Sequence, residues 1–129
     1  MNNFKELNIW KDAMAIAKEV YALTKQFPAD ERYGLVSQIN RSAISCPSNI
    51  TEGCGRNSKN EFKHFLSITL GSSYELETQL MLAESFGYLS KESLDKLLMA
   101  INKNQKMTAK LIESLSKGPD TKYLLPTTN

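Results

Sequence analysis

Arg41, Ser45, Asn49, Glu52 and Arg56 follow one another at intervals of three and four residues. At about 100° per residue, the turn of an α-helix, all five fall within an arc of roughly 80°. Val36, Ile39, Ala43, Cys46, Ile50 and Cys54 fall within an arc of similar width on the opposite side. One face is thus a core stripe, and the other is a ladder that donates, accepts and carries charge of both signs. Pro47, Gly53 and Gly55 lie in the same stretch, although an ordinary structural helix avoids them. Three chemistries suit such a ladder. Arg41 and Arg56 can pair within the chain, with Glu52 or with Glu75, Glu77 and Glu84. They can meet a neighbouring subunit, because arginine is well adapted to partly buried carboxylate pairs. They can bind phosphate, although Glu52 between them counts against a pure phosphate site. The ladder Arg41, Ser45, Asn49, Glu52 and Arg56 is read here as a subunit interface.

A second pattern lies near the C-terminus. Lys96, Lys103, Lys110 and Lys117 repeat every seven residues, with Lys106 close by and no acid between Asp95 and Glu113. They follow the apolar positions by two residues, about 200° round a helix, and should face water. The usual meaning of such a run is a solvated face. Repeated around an oligomer, it becomes a basic surface able to track phosphates. No aromatic residue interleaves with these lysines, so base stacking is not indicated. Arg56 and Lys59 at a helix junction add to the candidate nucleic-acid contacts, together with backbone N–H groups expected to point outward where the third helix begins.

Other chemistry is thinly represented. Glu61-Phe-Lys-His64 has the Glu-x-x-His spacing of di-iron bundles, which need two such units and two further glutamates, yet His64 is the only histidine. A complete di-iron site within one chain is excluded, and no metal or cofactor is expected. Nothing places a base beside a nucleophile, so no catalytic residues are assigned and no enzyme activity is expected. Gly53-Cys-Gly55 is too short for a phosphate-binding loop.

The elements that must hold these residues are four helices, with nothing that reads as a strand. The first spans about Phe4 to Phe27, stepping through Leu7, Trp10, Ala13, Ala17, Val20 and Thr24. Pro28-Ala-Asp-Glu31 opens the second, which runs to about Arg56 with Pro47 inside it, expected to kink it. Ser58-Lys-Asn-Glu61 is a capping box for the third. Its core repeat is Phe62, Thr69, Leu76 and Ala83, and Gly87 closes it. Ser90 caps the fourth, whose repeat is Leu94, Ile101, Thr108 and Leu115, up to Gly118-Pro119. Connections of two to four residues make consecutive helices antiparallel, and the sevenfold repeats favour near-parallel packing. The expected architecture is an all-α, up-down-up-down four-helix bundle over residues 1–117. Residues 118–129 form an irregular tail with an apolar Tyr123-Leu124-Leu125 patch.

Composition agrees with one soluble domain. The chain has 129 residues, 41% hydrophobic and 23% charged, with a net charge of +2. That net charge is too small to argue for nucleic acid, but residues 58–89 carry −2 and residues 90–117 carry +3. No apolar run reaches the roughly 18 residues of a membrane span, and the N-terminus has no secretory h-region. Cys46 and Cys54 are about 12 Å apart along one helix and cannot bridge each other. Buried thiols and a cytoplasmic location are expected.

The motifs resemble those of the four-helix-bundle family encoded by intervening sequences of bacterial 23S rRNA genes. The accessory variability protein of diversity-generating retroelements belongs to the same broad group. The residues that carry the likeness are Phe4-Lys-Glu-Leu7 with Trp10, Phe27-Pro28, Glu31-Arg-Tyr-Gly-Leu35, Gln38-Ile-Asn-Arg41 and Asn49-Ile-Thr-Glu-Gly53 with Gly55-Arg56. Glu61-Phe62, Phe65, Gly71-Ser72, Glu75-Leu-Glu77 and Gly87-Tyr-Leu89 continue it, so that it covers residues 4–116. The resemblance implies a ring-shaped homo-oligomer, a homopentamer, that associates with RNA or ribonucleoprotein and has no catalytic activity. The rival from another class is a protein-only adaptor or scaffold docking a partner such as a polymerase. A third, a small-molecule-binding bundle, is disfavoured because the core stripes show few polar groups at matching levels.

Overall fold

The computed structural model describes residues 3–121. After a 3₁₀ turn at Phe4–Glu6 come α1 (Asn8–Thr24), a second 3₁₀ turn at Ala29–Glu31, α2 (Leu35–Cys54), α3 (Lys59–Ser85) and α4 (Lys91–Leu115). No strand occurs among the described residues. Packing pairs α1 with α2, α2 with α3, α3 with α4, and α4 with α1, so the helices circle the core in chain order.

The core proves the antiparallel order. One apolar cluster joins Ile16 and Val20 to Ile39, Ala43, Leu76, Leu80, Leu94 and Leu97. It therefore unites the end of α1, the start of α2, the end of α3 and the start of α4. The other joins Ile9 and Ala13 to Ile50, Cys54, Phe62, Leu66 and Leu115, the opposite ends of the same helices. Between them lies a polar stratum of Thr69, Ser73, Asn104, Gln105 and Thr108, all buried. Asn104 Nδ2 donates to the Ile9 carbonyl at 3.0 Å. Gln105 Nε2 donates to Ser73 Oγ at 3.1 Å and to Glu77 Oε1 at 3.0 Å, while Gln105 Oε1 accepts from Asn102 at 2.9 Å. The expectation of few polar groups at matching levels is thus overturned, although these groups donate to one another or to backbone carbonyls inside the bundle.

The sevenfold repeats of α3 and α4 are buried throughout, from Phe62 to Ala83 and from Leu94 to Leu115. The stripe of α1 differs from expectation. Ile9, Ala13, Ile16, Val20 and Thr24 are buried, while Trp10 and Ala17 line the outer groove against α2. The second helix also starts later than Pro28. The acids after that proline form a single 3₁₀ turn, and α2 begins at Leu35 after Gly34. Glu31 is drawn away instead: its Oε2 accepts from the Tyr88 hydroxyl at 2.9 Å and its Oε1 from Leu35 N at 3.4 Å. That hydrogen bond to Glu31, with burial, raises the Tyr88 pKa. Pro47 is buried inside an unbroken α2.

Caps end the helices largely as expected. Ser58 Oγ accepts from Glu61 N at 3.2 Å, and Ser90 Oγ from Ser93 N at 3.1 Å. The Glu61 carboxylate meets the Ser58 hydroxyl at 3.4 Å rather than its backbone N–H, so the capping box is only half formed. Gly87, at φ +82°, closes α3 through Tyr88 N to the Ala83 carbonyl and Gly87 N to that of Glu84.

α2 and α3 approach closely because small residues line their contact. Thr69 Oγ1 donates to the Cys46 carbonyl at 3.3 Å, and Gly53 has no room for a side chain. A Cβ there would lie 2.7 Å from Phe65 Cβ and 3.3 Å from the Phe62 carbonyl oxygen. Alanine improves helix propensity by about 1 kcal/mol, but overpacking against atoms this rigid costs about 3 kcal/mol. Gly53→Ala is expected to lose about 2 kcal/mol net in urea unfolding, and a stability gain would contradict the close approach.

Candidate subunit and nucleic-acid interfaces

The ladder on α2 splits into two parts. Ser45 and Asn49 are half-buried and turned toward α3: Ser45 Oγ shares a hydrogen bond with Ser72 Oγ at 2.9 Å, and Asn49 Nδ2 donates to Ser45 O and Oγ, both at 2.9 Å. Arg41, Glu52 and Arg56 are exposed. Arg56 Nη2 reaches Glu52 Oε1 at 2.8 Å, and its guanidinium stacks 4.7 Å above the Phe65 ring. Their side chains are 40% and 57% exposed, so this is a surface pair worth about 0.3–0.5 kcal/mol and not a partly buried one. Arg41 pairs with nothing among the described residues. Glu77 holds Gln105 and Asn102 instead of an arginine.

The lysines of α4 are exposed, as are Met99 and Glu113 beside them. Lys103, Lys106 and Lys110 come together around an open depression of about 760 Å³ that also includes Met99, Met107 and Ala109, with the one acid Glu113 at its C-terminal edge. Lys103 borders a second depression with Asp12 and Glu19, so acids temper its field. Lys96 lies toward the start of α4. Lys117 and Lys59 meet at the far end, where Lys59 Nζ donates to the Lys117 carbonyl at 3.4 Å.

That far end corrects the expectation for the start of α3. The chain turns back at Gly118, φ +76°, and covers the helix terminus. Lys59 N donates to the Thr121 carbonyl at 2.8 Å, Asn60 N to Asp120 Oδ1 at 2.9 Å, and Glu61 N to Ser58. These N–H groups do not point outward to an anion, because a carboxylate of the chain itself already sits there. Arg56 and Lys59 are accordingly engaged, and the structure does not bring them into the Lys103–Lys106–Lys110 group. The Tyr123-Leu124-Leu125 patch lies outside the described residues.

Two further surfaces escaped the sequence reading. Between α1 and α2 runs an apolar groove of about 560 Å³, lined by Trp10, Met14, Tyr21, Ile44 and Pro47 among others. Tyr21 and Ile44 are each 52% exposed. Lys11, Lys18 and Lys25 recur every seven residues along α1 beside it, all exposed. On α3, the exposed residues from Ser67 to Phe86 include Ile68, Tyr74, Met81, Leu82 and Phe86 but a single charge, Glu75. The signal was available: between His64 and Glu84 the α3 sequence places Ile68, Tyr74, Met81 and Leu82 outside its core repeat, and apolar residues beyond the core stripe need a cover of their own.

Both thiols are free and buried. Burial pushes the Cys46 pKa up to about 12 and raises that of Cys54. A shift from 9.0 to about 12 cuts the thiolate fraction near pH 8 about a thousandfold. Native Cys46 is therefore expected to resist iodoacetamide and to label only on unfolding, as mass spectrometry of the labelled peptide would show. Among the described residues no three His, Cys, Asp or Glu side chains converge as metal ligands, and His64 packs edge-on against Phe65. Among the described residues no helix is long and apolar enough to cross a membrane.

Comparison with known proteins agrees with this architecture. A crystal structure described as a protein with unknown function from the S23 ribosomal protein family of Bacteroides thetaiotaomicron superposes with a TM-score of 0.75. It is 24% identical, and the match covers 81% of this chain and 98% of that one, which shows the shared fold. No curated protein matches. The 23S rRNA-intervening sequence protein family matches residues 5–110, the whole bundle except its two ends, and the chain therefore belongs to that family.

Proposed function

We propose that this chain is a non-enzymatic, cytoplasmic accessory protein that binds RNA or ribonucleoprotein as a homo-oligomer. The observation that carries the reading is the Lys103–Lys106–Lys110 group, three exposed ammonium groups on an α4 face with no acid between Asp95 and Glu113. Membership of a family named for a 23S rRNA intervening sequence supports the choice of RNA. Lysines without interleaved aromatics hold phosphates and have no means of reading base edges. Binding should be salt-sensitive and nearly indifferent to sequence. The homopentameric ring that the resemblance implies would repeat the basic face around an axis and multiply weak contacts. Neither metal nor cofactor enters this reading.

The α1–α2 groove, where no neighbouring copy occupies it, favours a second reading, an adaptor that docks a protein such as a polymerase, as the likeness to the retroelement accessory protein suggests. Filter binding of a structured RNA across a salt series separates the two. An RNA binder shows log affinity falling linearly with log salt. No retention at the lowest salt would leave the adaptor reading standing alone.

A further inference from the structure

We propose that the outer face of α3 in one copy of this chain seats in the α1–α2 groove of the next, a contact between two different surfaces. This rests on the oligomeric reading above.

The two surfaces are opposite in shape. The groove is a trough between two helices, with Trp10, Met14, Ala17 and Pro47 among its lining and Tyr21 and Ile44 exposed above it. The α3 face is a single helical ridge, with Ile68 38%, Tyr74 52%, Leu82 44% and Phe86 57% exposed. Gly71 stands in that ridge with nothing within 4 Å of the position a Cβ would take, so a neighbouring backbone has room to come close there. A ridge laid into a trough buries both apolar faces in one contact.

Charge points to the same pairing. Lys18 lines the groove and Lys11 lies beside it on α1, while on α2 Arg41 flanks it on the same helix face as Glu52, whose charge Arg56 already pairs. Lys11, Lys18 and Arg41 have no ion-pair partner among the described residues, and Lys25 lies over its own Tyr21 ring at 5.4 Å. The ridge presents Glu75 as its single charge, also unpaired, and no cation from Ser67 to Phe86. Groove on groove would set cations against cations, and ridge on ridge would set Glu75 against its own copy. Groove on ridge places Glu75 among three or four cations and gives Arg41 the intersubunit role expected for it. Because α3 and the α1–α2 groove are different surfaces of one bundle, each copy keeps a free groove and a free ridge, and the assembly continues until it closes on itself.

Ile44→Asp spoils the groove and Leu82→Asp the ridge. Both residues are exposed in the subunit, so the fold should survive, as circular dichroism checks. In light scattering, wild type is expected to exceed the 14.5 kDa mass of the chain, and each variant alone to fall to that mass. An equimolar mixture should give a species of twice that mass and nothing larger, because the Leu82→Asp groove accepts the Ile44→Asp ridge and both remaining surfaces are spoiled. A mixture that stays monomeric while each variant is folded overturns the pairing of unlike surfaces. Variants that keep the wild-type mass overturn this interface and leave the oligomeric reading intact, whereas a monomeric wild type removes both.

Discussion

Replacing Lys103, Lys106 and Lys110 together with glutamine is expected to weaken binding to a structured RNA by several hundredfold near 0.1 M salt. Each phosphate contact contributes about 0.9 to the slope of log affinity against log salt, so three contacts amount to about 2.7 decades over a tenfold span of salt. The slope should flatten by about three units or fewer, with Lys103 contributing least because Asp12 and Glu19 stand beside it. All three side chains are exposed, and stability should move by no more than about 0.5 kcal/mol. A loss of affinity with an unchanged melting curve would thus be a loss of contacts and not of fold. Arg56→Gln and Lys59→Gln should matter less, since Glu52 and Phe65 hold the first and the Lys117 carbonyl the second. Affinity and salt slope both unchanged in the triple variant would remove the α4 face as the binding surface.

The parts of this fold that were legible from sequence are those where burial follows one clean period. On α3 and α4 the sevenfold repeats name the buried residues correctly, and Ser58, Gly87 and Ser90 mark helix ends by local geometry. α1 was harder because it is apolar on two sides. Ile9 and Ile16 face the core while Trp10 and Ala17, one position on, wall the groove. Both pairs fit a helical step through Ala13 and Val20, and periodicity alone cannot separate a core stripe from a docking stripe. The start of α2 was misplaced for a different reason. Glu31 reads as a first-turn acid, yet its carboxylate is taken by Tyr88, 57 residues away.

The candidate sites were legible as residue types and less so as partners. The ladder of α2 is present as a row, but α3 comes so close at Gly53 that Ser45 and Asn49 are drawn into the subunit. Only Arg41, Glu52 and Arg56 remain at the surface. The start of α3 looked open to an anion because nothing in the sequence announces that Gly118 returns Asp120 to it. The buried stratum escaped for the same reason. Ser73, Glu77, Asn102 and Gln105 belong to two helices, and the register between those helices, which sets them level, is fixed by packing over their whole length.

That stratum carries the largest stability effect expected from a polar substitution here. Gln105 Nε2 donates to Ser73 Oγ and Glu77 Oε1, and its Oε1 accepts from Asn102. Gln105→Ala removes all three bonds, leaves the half-buried Glu77 carboxylate with Asn102 as its one donor, and opens a void between two apolar clusters. Unsatisfied buried groups cost about 1–3 kcal/mol and the void adds to that, so a loss of about 3 kcal/mol is expected, seen as a fall in melting temperature of roughly 10 °C. Gln105→Leu fills the void and still leaves the half-buried Glu77 with Asn102 as its one donor, so it should recover only part of the loss. Adding Glu77→Leu removes that under-satisfied charge as well, and replacing both partners by apolar groups is commonly near neutral. The double variant should therefore be more stable than Gln105→Leu alone. If the two substitutions instead add, or if Gln105→Ala melts within a degree or two of wild type, the Gln105–Glu77 bond contributes nothing to holding α3 and α4 in register.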